Sequence, residues 1–305
     1  MKRRIVVLSV IGLVVLSLVL VFTLDFSGGR LSRARNTVGI IYVQGPLLGG
    51  ASSSGLFGYV EGSDTVTSYL QEARNDQTVK AVVVRIDSPG GSAGAAQEVA
   101  REIEKLRDSG KTVVASLGDT ATSGAYWVAA ATECVVANPG TVTGSIGVVM
   151  HFMDYVDLYE KIGITPDTIK SGEHKDMGDP ARPLTGEERA LLQAMVDDIH
   201  RQFIEHVAKS RGMPVENVEG LADGRVFTGN QAHEAGLVDE MGNFEDAIDV
   251  AASRAEIWGP YEIQEYGRLT PLEQLLEALS LRSPVHQGLL QSLEAYRSLL
   301  RLPGF

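Results

Sequence analysis

A serine stands at the start of an apolar stretch, "GDTATSGAYWVAAA", residues 118–131. Ser123 follows a pattern typical of a buried strand and begins a pattern typical of a short helix. The helix dipole favours negative charge at such a place, so a hydroxyl there could attack a carbonyl carbon. The N–H of Gly124 could then bind the oxyanion that forms. The alternative interpretation is a helix cap, which is a common role of serine at a helix start.

A second segment that could take part in binding or catalysis is "DSPGGSAG", residues 87–94. It lies where a strand pattern meets a helix pattern. Its paired glycines carry no Cβ atom, so backbone N–H groups can approach a ligand closely. The segment lacks G-x-G-x-x-G and is not followed by G-K-[ST], which disfavours dinucleotide and P-loop binding. A tight strand-to-helix turn is the alternative interpretation.

A serine nucleophile requires a base, and the six histidines of the chain supply no obvious one. None has an acidic partner in an arrangement typical of a Ser-His-Asp site, and no pair has the H-E-x-x-H spacing of a zinc peptidase. The segment "IKSGEHKDMGDPAR" supplies Lys170 and Lys175 instead. A lysine acts as a base only when its amine is neutral, which requires burial or neighbouring positive charge. The alternative is that both lysines lie on the solvated surface.

The composition excludes several classes of partner. The chain has 305 residues and a net charge of −12, with 27 Lys and Arg against 39 Asp and Glu, so it has no cationic excess to neutralise nucleic-acid phosphates. Its single cysteine, Cys134, excludes an intrachain disulfide and disfavours a cysteine metal site. We interpret Cys134 as a small buried apolar residue, and we expect neither a cofactor nor a metal.

The N-terminus predicts a membrane anchor over residues 1–24. Residues 5–24 form an uncharged segment whose length is what a helix needs to cross a bilayer. No A-x-A cleavage pattern follows this segment. Basic residues flank the span on both sides, and the free amino terminus favours a cytoplasmic N-terminus. We therefore expect a single-pass protein of the cell membrane whose body lies outside the cytoplasm.

The strands and helices that would position the candidate catalytic residues follow a polar linker, residues 25–36. Runs of β-branched residues alternate with helical patterns, which predicts an α/β fold with a mainly parallel sheet. Residues 49–64 are rich in Gly and Ser and are interpreted as a mobile loop, and residues 164–172 are predicted to form a strand. Residues 184–212 predict a long helix that begins with a capping box.

The C-terminal tail, residues 259–305, carries leucines at helical spacing. A pair of amphipathic helices there could pack on the body, on another subunit or on a membrane surface.

Together, five segments in this order resemble the signal peptide peptidase A family of serine proteases: "DSPGGSAG", "ATSGAYWVA", "TVTGSIGVV", "IKSGEHKD" and "GRVFTGNQAHEAGLVDEMG". The resemblance covers roughly residues 37–255. It implies the fold of the Clp protease and crotonase superfamily, built from repeated ββα units, and a peptidase domain over residues 37–258.

The same resemblance implies a Ser-Lys catalytic dyad. Ser123 matches the nucleophile, Lys175 the general base, and Ser145 the serine that orients the lysine amine. Gly91 and Gly124 match the backbone donors to the oxyanion.

Two neighbours of the predicted base receive different interpretations. If Asp176 faced the site, its negative charge would oppose loss of the positive charge of Lys175. In an extended chain the side chains of Lys175 and Asp176 would point to opposite sides, which would avoid this effect. Lys170 does not fall on the catalytic position and is interpreted as structural.

The implied function is a membrane-anchored endopeptidase that degrades cleaved signal peptides and other membrane-associated peptides. The short, single-unit form resembles members that assemble into ring-shaped homo-oligomers, here an octamer, in which neighbouring subunits could share the dyad. A crotonase-like acyl-CoA enzyme of the same fold is one alternative, which the N-terminal span and the acidic chain disfavour. A non-catalytic scaffold is the other, which the joint presence of Ser123, Ser145 and Lys175 disfavours.

Overall fold

The computed structural model describes residues 36–55 and 58–267. The predicted anchor, almost all of the predicted linker and most of the predicted C-terminal tail lie outside the described residues. Within the described ranges, no helix combines the length and hydropathy that crossing a bilayer requires. Contacts divide the chain into a unit over Met1–Gln264 and a second unit over Glu265–Phe305.

The strands, in chain order, are β1 (Thr37–Gln44), β2 (Leu47–Leu48), β3 (Ser53–Gly55), β4 (Gly58–Gly62), β5 (Val79–Ser88), β6 (Thr112–Thr122), β7 (Cys134–Ala137), β8 (Val142–Gly144), β9 (Val226–Thr228), β10 (Glu240–Met241) and β11 (Glu262–Glu265). The helices are α1 (Ser63–Asn75), α2 (Ala93–Asp108), α3 (Gly124–Ala130), α4 (Val156–Ile162), α5 (Gly186–Arg211), α6 (Val215–Glu219), α7 (Gly229–Glu234) and α8 (Phe244–Arg254).

The central sheet has the strand order β10-β7-β6-β5-β1-β11, and β8 and β9 extend it beside the end of β6. The pairs β1–β5, β5–β6, β6–β7 and β6–β8 are parallel, whereas β8–β9 is antiparallel. The prediction of an α/β fold with a mainly parallel sheet is therefore confirmed.

Helices cover the sheet because its central strands are apolar on both faces. Alternate residues of the strands, including Val83 and Val114, pack against Ala247 and Ala251 of α8. The intervening residues are also fully buried, which is typical of a parallel sheet with helices on both sides. Cys134 belongs to this core, as predicted, and burial raises the pKa of its thiol to about 12.

Residues 49–64 are not the mobile loop that their composition predicts. Over the described part of this range, β3 and β4 join β2 in a second sheet of order β2-β4-β3, and α1 begins at Ser63. The composition does not reveal a buried acid, Glu61, which is 3% exposed and accepts hydrogen bonds from Gln44 at the end of β1 and from Ser52 just before β3.

The predicted strand over residues 164–172 is also wrong. Residues 164–170 have no regular secondary structure, and each of them is exposed, so they have no neighbouring strand to pair with. They belong to an arm, residues 151–185, in which no residue is buried.

Helix α5 begins as predicted. The Thr185 hydroxyl accepts a hydrogen bond from the Glu188 N–H at 3.1 Å, and the Glu188 carboxylate accepts from the Thr185 N–H at 3.0 Å. This capping box is confirmed, and Gly212 ends the helix in a left-handed conformation.

Candidate active site

Ser123 lies at the junction of β6 and α3, in a strained backbone conformation. Its φ is 54° and its ψ is −125°, a region that L-residues rarely adopt and that costs free energy. The Ser123 N–H donates to the Gly144 carbonyl at 2.8 Å, which holds the turn. Although Ser123 occupies the cap position of α3, its side chain makes no capping hydrogen bond. The helix-cap interpretation is therefore wrong.

Ser145 occupies the equivalent position after the neighbouring strand. β8 pairs in parallel with the end of β6, with Thr122 opposite Gly144, so Ser123 and Ser145 directly follow the same register. Ser145 also has a positive φ, 52°, and its N–H donates to the Arg225 carbonyl at 2.8 Å. Among the described residues, only three non-glycine residues have a positive φ. Two of them are these serines, which directly follow the neighbouring strands β6 and β8.

The backbones of Gly91 and Gly124 lie close together beside Ser123. A Cβ atom on Gly124 would lie 3.3 Å from the Gly91 nitrogen, and one on Gly90 would lie 2.7 Å from the Gly124 nitrogen. A side chain at either position would therefore crowd the backbone nitrogens. Such a pair of closely spaced donors can stabilise an oxyanion on a carbonyl that Ser123 attacks.

One cavity of about 520 Å³ is lined by Gly91, Ser123, Gly124 and Ser145. Its walls include Trp127 and Phe203, whose rings stack with centroids 4.5 Å apart and which are 4% and 2% exposed. The cavity further contains the apolar residues Val149, Met150 and Ile199 and the polar residues His200 and Asp223. Sequence reasoning did not single out these walls, although the i, i+4 spacing of Ile199 and Phe203 places them on one face of α5.

Lys175 does not line this cavity. It is exposed in a turn of the arm, and its N–H donates to the Gly172 carbonyl at 3.2 Å. The described chain thus brings together Ser123, Ser145, Gly91 and Gly124, but not Lys175. The pairing of Ser123 with Lys175 stays a prediction.

The family model described as "Peptidase family S49" matches residues 105–257. This span includes Ser123, Ser145 and Lys175 and half of the chain. The chain belongs to peptidase family S49. The resemblance to the signal peptide peptidase A family is confirmed at the level of the family, since a relative from Arabidopsis thaliana is named "Serine protease SPPA, chloroplastic".

That Arabidopsis relative is 38% identical over 239 residues, which are 77% of this chain and 34% of the relative. A Synechocystis sp. relative is 45% identical over 175 residues, which are 57% of this chain and 63% of the relative. The chain therefore spans less than two thirds of the length of these curated relatives. A solved structure of the 1510-N membrane-bound stomatin-specific protease with a substrate peptide matches 81% of this chain and 98% of its own, at 14% identity and a TM-score of 0.49.

The S49 segment around Lys175 is folded into turns, not into the extended chain that would turn Asp176 away. The Asp176 carboxylate instead accepts hydrogen bonds from Arg182 at 2.7 Å and from Lys170 at 2.7 Å. Arg182, followed by Lys170, holds the pKa of Asp176 well below its usual range. The negative charge next to Lys175 is thus paired with two other cations, which agrees with the structural role predicted for Lys170.

Three histidines of this S49 chain bind backbone carbonyl groups. His200 Nε2 lies 2.7 Å from the Ala222 oxygen, His206 Nε2 lies 2.9 Å from the Trp127 oxygen, and His233 Nδ1 lies 3.1 Å from the Val238 oxygen. Burial lowers the pKa of His206. None of these three contacts is to an acidic side chain, and His200 also lines the cavity beside Ser123.

Proposed function

We propose that this chain is a serine endopeptidase in which Ser123 attacks the carbonyl carbon of a peptide bond and Lys175 is the general base. The observation that carries the proposal is the conformation of Ser123. Its hydroxyl makes no capping hydrogen bond, although Ser123 lies at a strained strand-to-helix junction. Ser123 lines the same cavity as Gly91, Gly124 and Ser145. Strain of this kind persists only where the surrounding structure enforces it, and it clusters at active sites.

The proposed reaction has an acylation step and a deacylation step. The amine of Lys175 takes the Ser123 proton as the Oγ–carbon bond forms, and the N–H groups of Gly91 and Gly124 donate to the oxyanion. The carbon–nitrogen bond then breaks, and the leaving amine receives the proton from Lys175. Water hydrolyses the acyl-enzyme by the same proton route, while Ser145 orients the lysine amine by a hydrogen bond.

We further propose that Lys175 reaches Ser123 from a neighbouring subunit of a ring-shaped homo-oligomer, an octamer. Two features support this arrangement. Lys175 lies on an arm without buried residues, away from the cavity of its own chain. The arm also exposes large apolar side chains, including Met153, Leu158, Ile162 and Ile169, and an apolar surface of this kind marks a contact with another molecule.

The proposed substrates are cleaved signal peptides and other membrane-associated peptides. The apolar cavity walls, with Trp127 and Phe203, suit the apolar side chains of such peptides. In this proposal residues 1–24 anchor the protein in the cell membrane, and the catalytic domain lies on the extracytoplasmic side. Signal peptides released on that side would be within reach of the site.

A fluorophosphonate probe tests the catalytic assignment on the full-length protein in detergent. The probe should label the wild type at Ser123, and Ser123→Ala and Lys175→Ala should abolish labelling. Lys161→Ala is the matched control, because Lys161 is an exposed lysine of the same arm. Labelling of the Lys175 variant at the wild-type rate would refute the dyad.

A further inference from the structure

A buried carboxylate organises the small sheet near the cavity. Glu61 Oε2 accepts a hydrogen bond from the Gln44 N–H at 3.0 Å. Its Oε1 accepts from the Ser52 hydroxyl at 2.6 Å and from the Tyr59 hydroxyl at 2.9 Å. A carboxyl group is costly to bury without hydrogen bonds, and these three donors offset that cost. Glu61 therefore joins the end of β1, the residue before β3, and β4 through one side chain.

The same residue fixes β2 through its backbone. Leu47 pairs with Glu61 in the parallel β2–β4 ladder, and the Glu61 N–H donates to the Pro46 carbonyl at 2.9 Å. Because the Glu61 carboxylate also holds Gln44, the chain from Gln44 to Leu47 is attached to Glu61 at both ends. The position of Leu47, which is fully buried, depends on this attachment.

Leu47 in turn sets the direction of the Gly91 N–H. The Leu47 N–H donates to the Gly90 carbonyl at 2.9 Å, and the Leu47 carbonyl accepts from the Ser92 N–H at 3.0 Å. The peptide bond between Gly90 and Gly91 is trans, so its N–H points opposite to its carbonyl, away from Leu47.

The Gly91 N–H is therefore free to face the cavity that Gly91 lines with Ser123. In the described part of the chain, it has no backbone acceptor. Its direction is a consequence of where Leu47 lies, not of a bond that it makes itself.

We propose that Glu61 is a positioning residue for the oxyanion-binding N–H of Gly91. This inference rests on the proposed function, because it assigns the Gly91 N–H to a peptide oxyanion. Glu61 contacts neither Ser123 nor the substrate in this account. It acts through β4, Leu47 and the Gly90–Gly91 peptide. This role was not predictable from the sequence, because the segment has the composition of a loop.

The test compares Glu61→Ala with Glu61→Gln in the full-length oligomer, with activity expressed per site titrated by fluorophosphonate. Displaced oxyanion donors weaken binding of the transition state more than binding of the substrate, so Glu61→Ala should lower kcat about tenfold with KM within about twofold. Glu61→Gln should retain most activity, because its amide can accept from Gln44 and donate to the two hydroxyl groups.

A peptide aldehyde provides the readout that a purely structural role would not move. The aldehyde carbon bonds to Ser123 Oγ and places its oxyanion against the Gly91 N–H, whereas the matching peptide alcohol forms no oxyanion. Glu61→Ala should weaken aldehyde binding by about the factor lost in kcat and leave alcohol binding unchanged. Glu102→Ala is the control, because Glu102 is another buried carboxylate, 7% exposed, that pairs with Arg74 and Lys105.

The outcomes separate the two proposals. Wild-type kcat and aldehyde affinity in Glu61→Ala, with the wild type labelled at Ser123, would overturn the positioning role alone. A loss of kcat without a loss of aldehyde affinity would overturn it as well. A wild-type protein that neither cleaves peptides nor accepts the probe at Ser123 would overturn the proposed function and this inference with it.

Discussion

The backbone at Ser123 is held in a conformation that free peptides avoid, and its hydroxyl binds no helix end. The sequence could place Ser123 at a strand-to-helix junction, because the apolar patterns on either side are clear. It could not predict the positive φ, which depends on the Gly144 carbonyl in β8, or exclude the helix cap. The same limit applies to Glu61, whose partners are Gln44 of β1, Ser52 just before β3 and Tyr59 of β4.

Glycine should relieve the strain at this position. Both Ser123→Ala and Ser123→Gly remove the nucleophile, so both should be inactive. Glycine adopts a positive φ without steric cost, so Ser123→Gly should have a free energy of unfolding about 1 kcal/mol higher than Ser123→Ala. Urea denaturation of the two variants under identical conditions measures the difference. An alanine variant that is equally stable or more stable would contradict the strain.

At the scale of elements, α5 and α3 form the apolar side of the cavity. The start and end of α5 were predictable, since the capping box and the terminal glycine are local in sequence. Its packing was not, because Phe203 and His206 contact Trp127 from more than 75 residues away in the chain. The exposed arm was mispredicted in part because residues 164–172 carry the apolar pattern of a strand without a strand to pair with.

The α3–α5 contact should make stability depend on pH through His206. Burial is the main cause that lowers the pKa of His206 below its ordinary value of 6.5, and the Trp127 carbonyl, Glu104 and Lys209 face it. The unfolded chain therefore binds a proton more readily, so the contribution of His206 to stability is present above about pH 6.5 and is lost as pH falls toward the lower folded pKa.

Thermal unfolding from about pH 7 to pH 5 checks this contribution. His206→Gln can still donate to the Trp127 carbonyl but does not titrate, so its Tm should fall less than that of the wild type over this range. Identical declines in the two proteins would contradict the prediction.

At the scale of the whole molecule, the described part of one chain does not bring the proposed base to the proposed nucleophile. Ser123 and its oxyanion donors are assembled by the sheet, whereas the proposed base lies on the arm, outside the cavity. Sequence motifs placed all of these residues in order along the chain, but order along the chain says nothing about which copy supplies the lysine.

The arm should therefore be required for assembly but not for folding. Ile169 is 98% exposed, so Ile169→Glu should leave Tm of the isolated subunit unchanged and shift the protein toward smaller species with lower activity. Trp258→Glu is the control, because Trp258 is 79% exposed and lies outside the arm. Analytical ultracentrifugation in detergent and peptide cleavage would measure the two effects. An Ile169→Glu protein that assembles and cleaves like the wild type would contradict the role of the arm.

Mixing two inactive variants tests the shared dyad most directly. Chains with Ser123→Ala and chains with Lys175→Ala would be co-expressed in equal amounts, and fluorophosphonate labelling of the mixed oligomer would be measured. If neighbouring subunits share the dyad, random assembly should restore about a quarter of the wild-type sites, all on chains that carry Lys175→Ala. A mixed oligomer that remains unlabelled, while each variant assembles normally, would contradict a site built from Ser123 of one subunit and Lys175 of another.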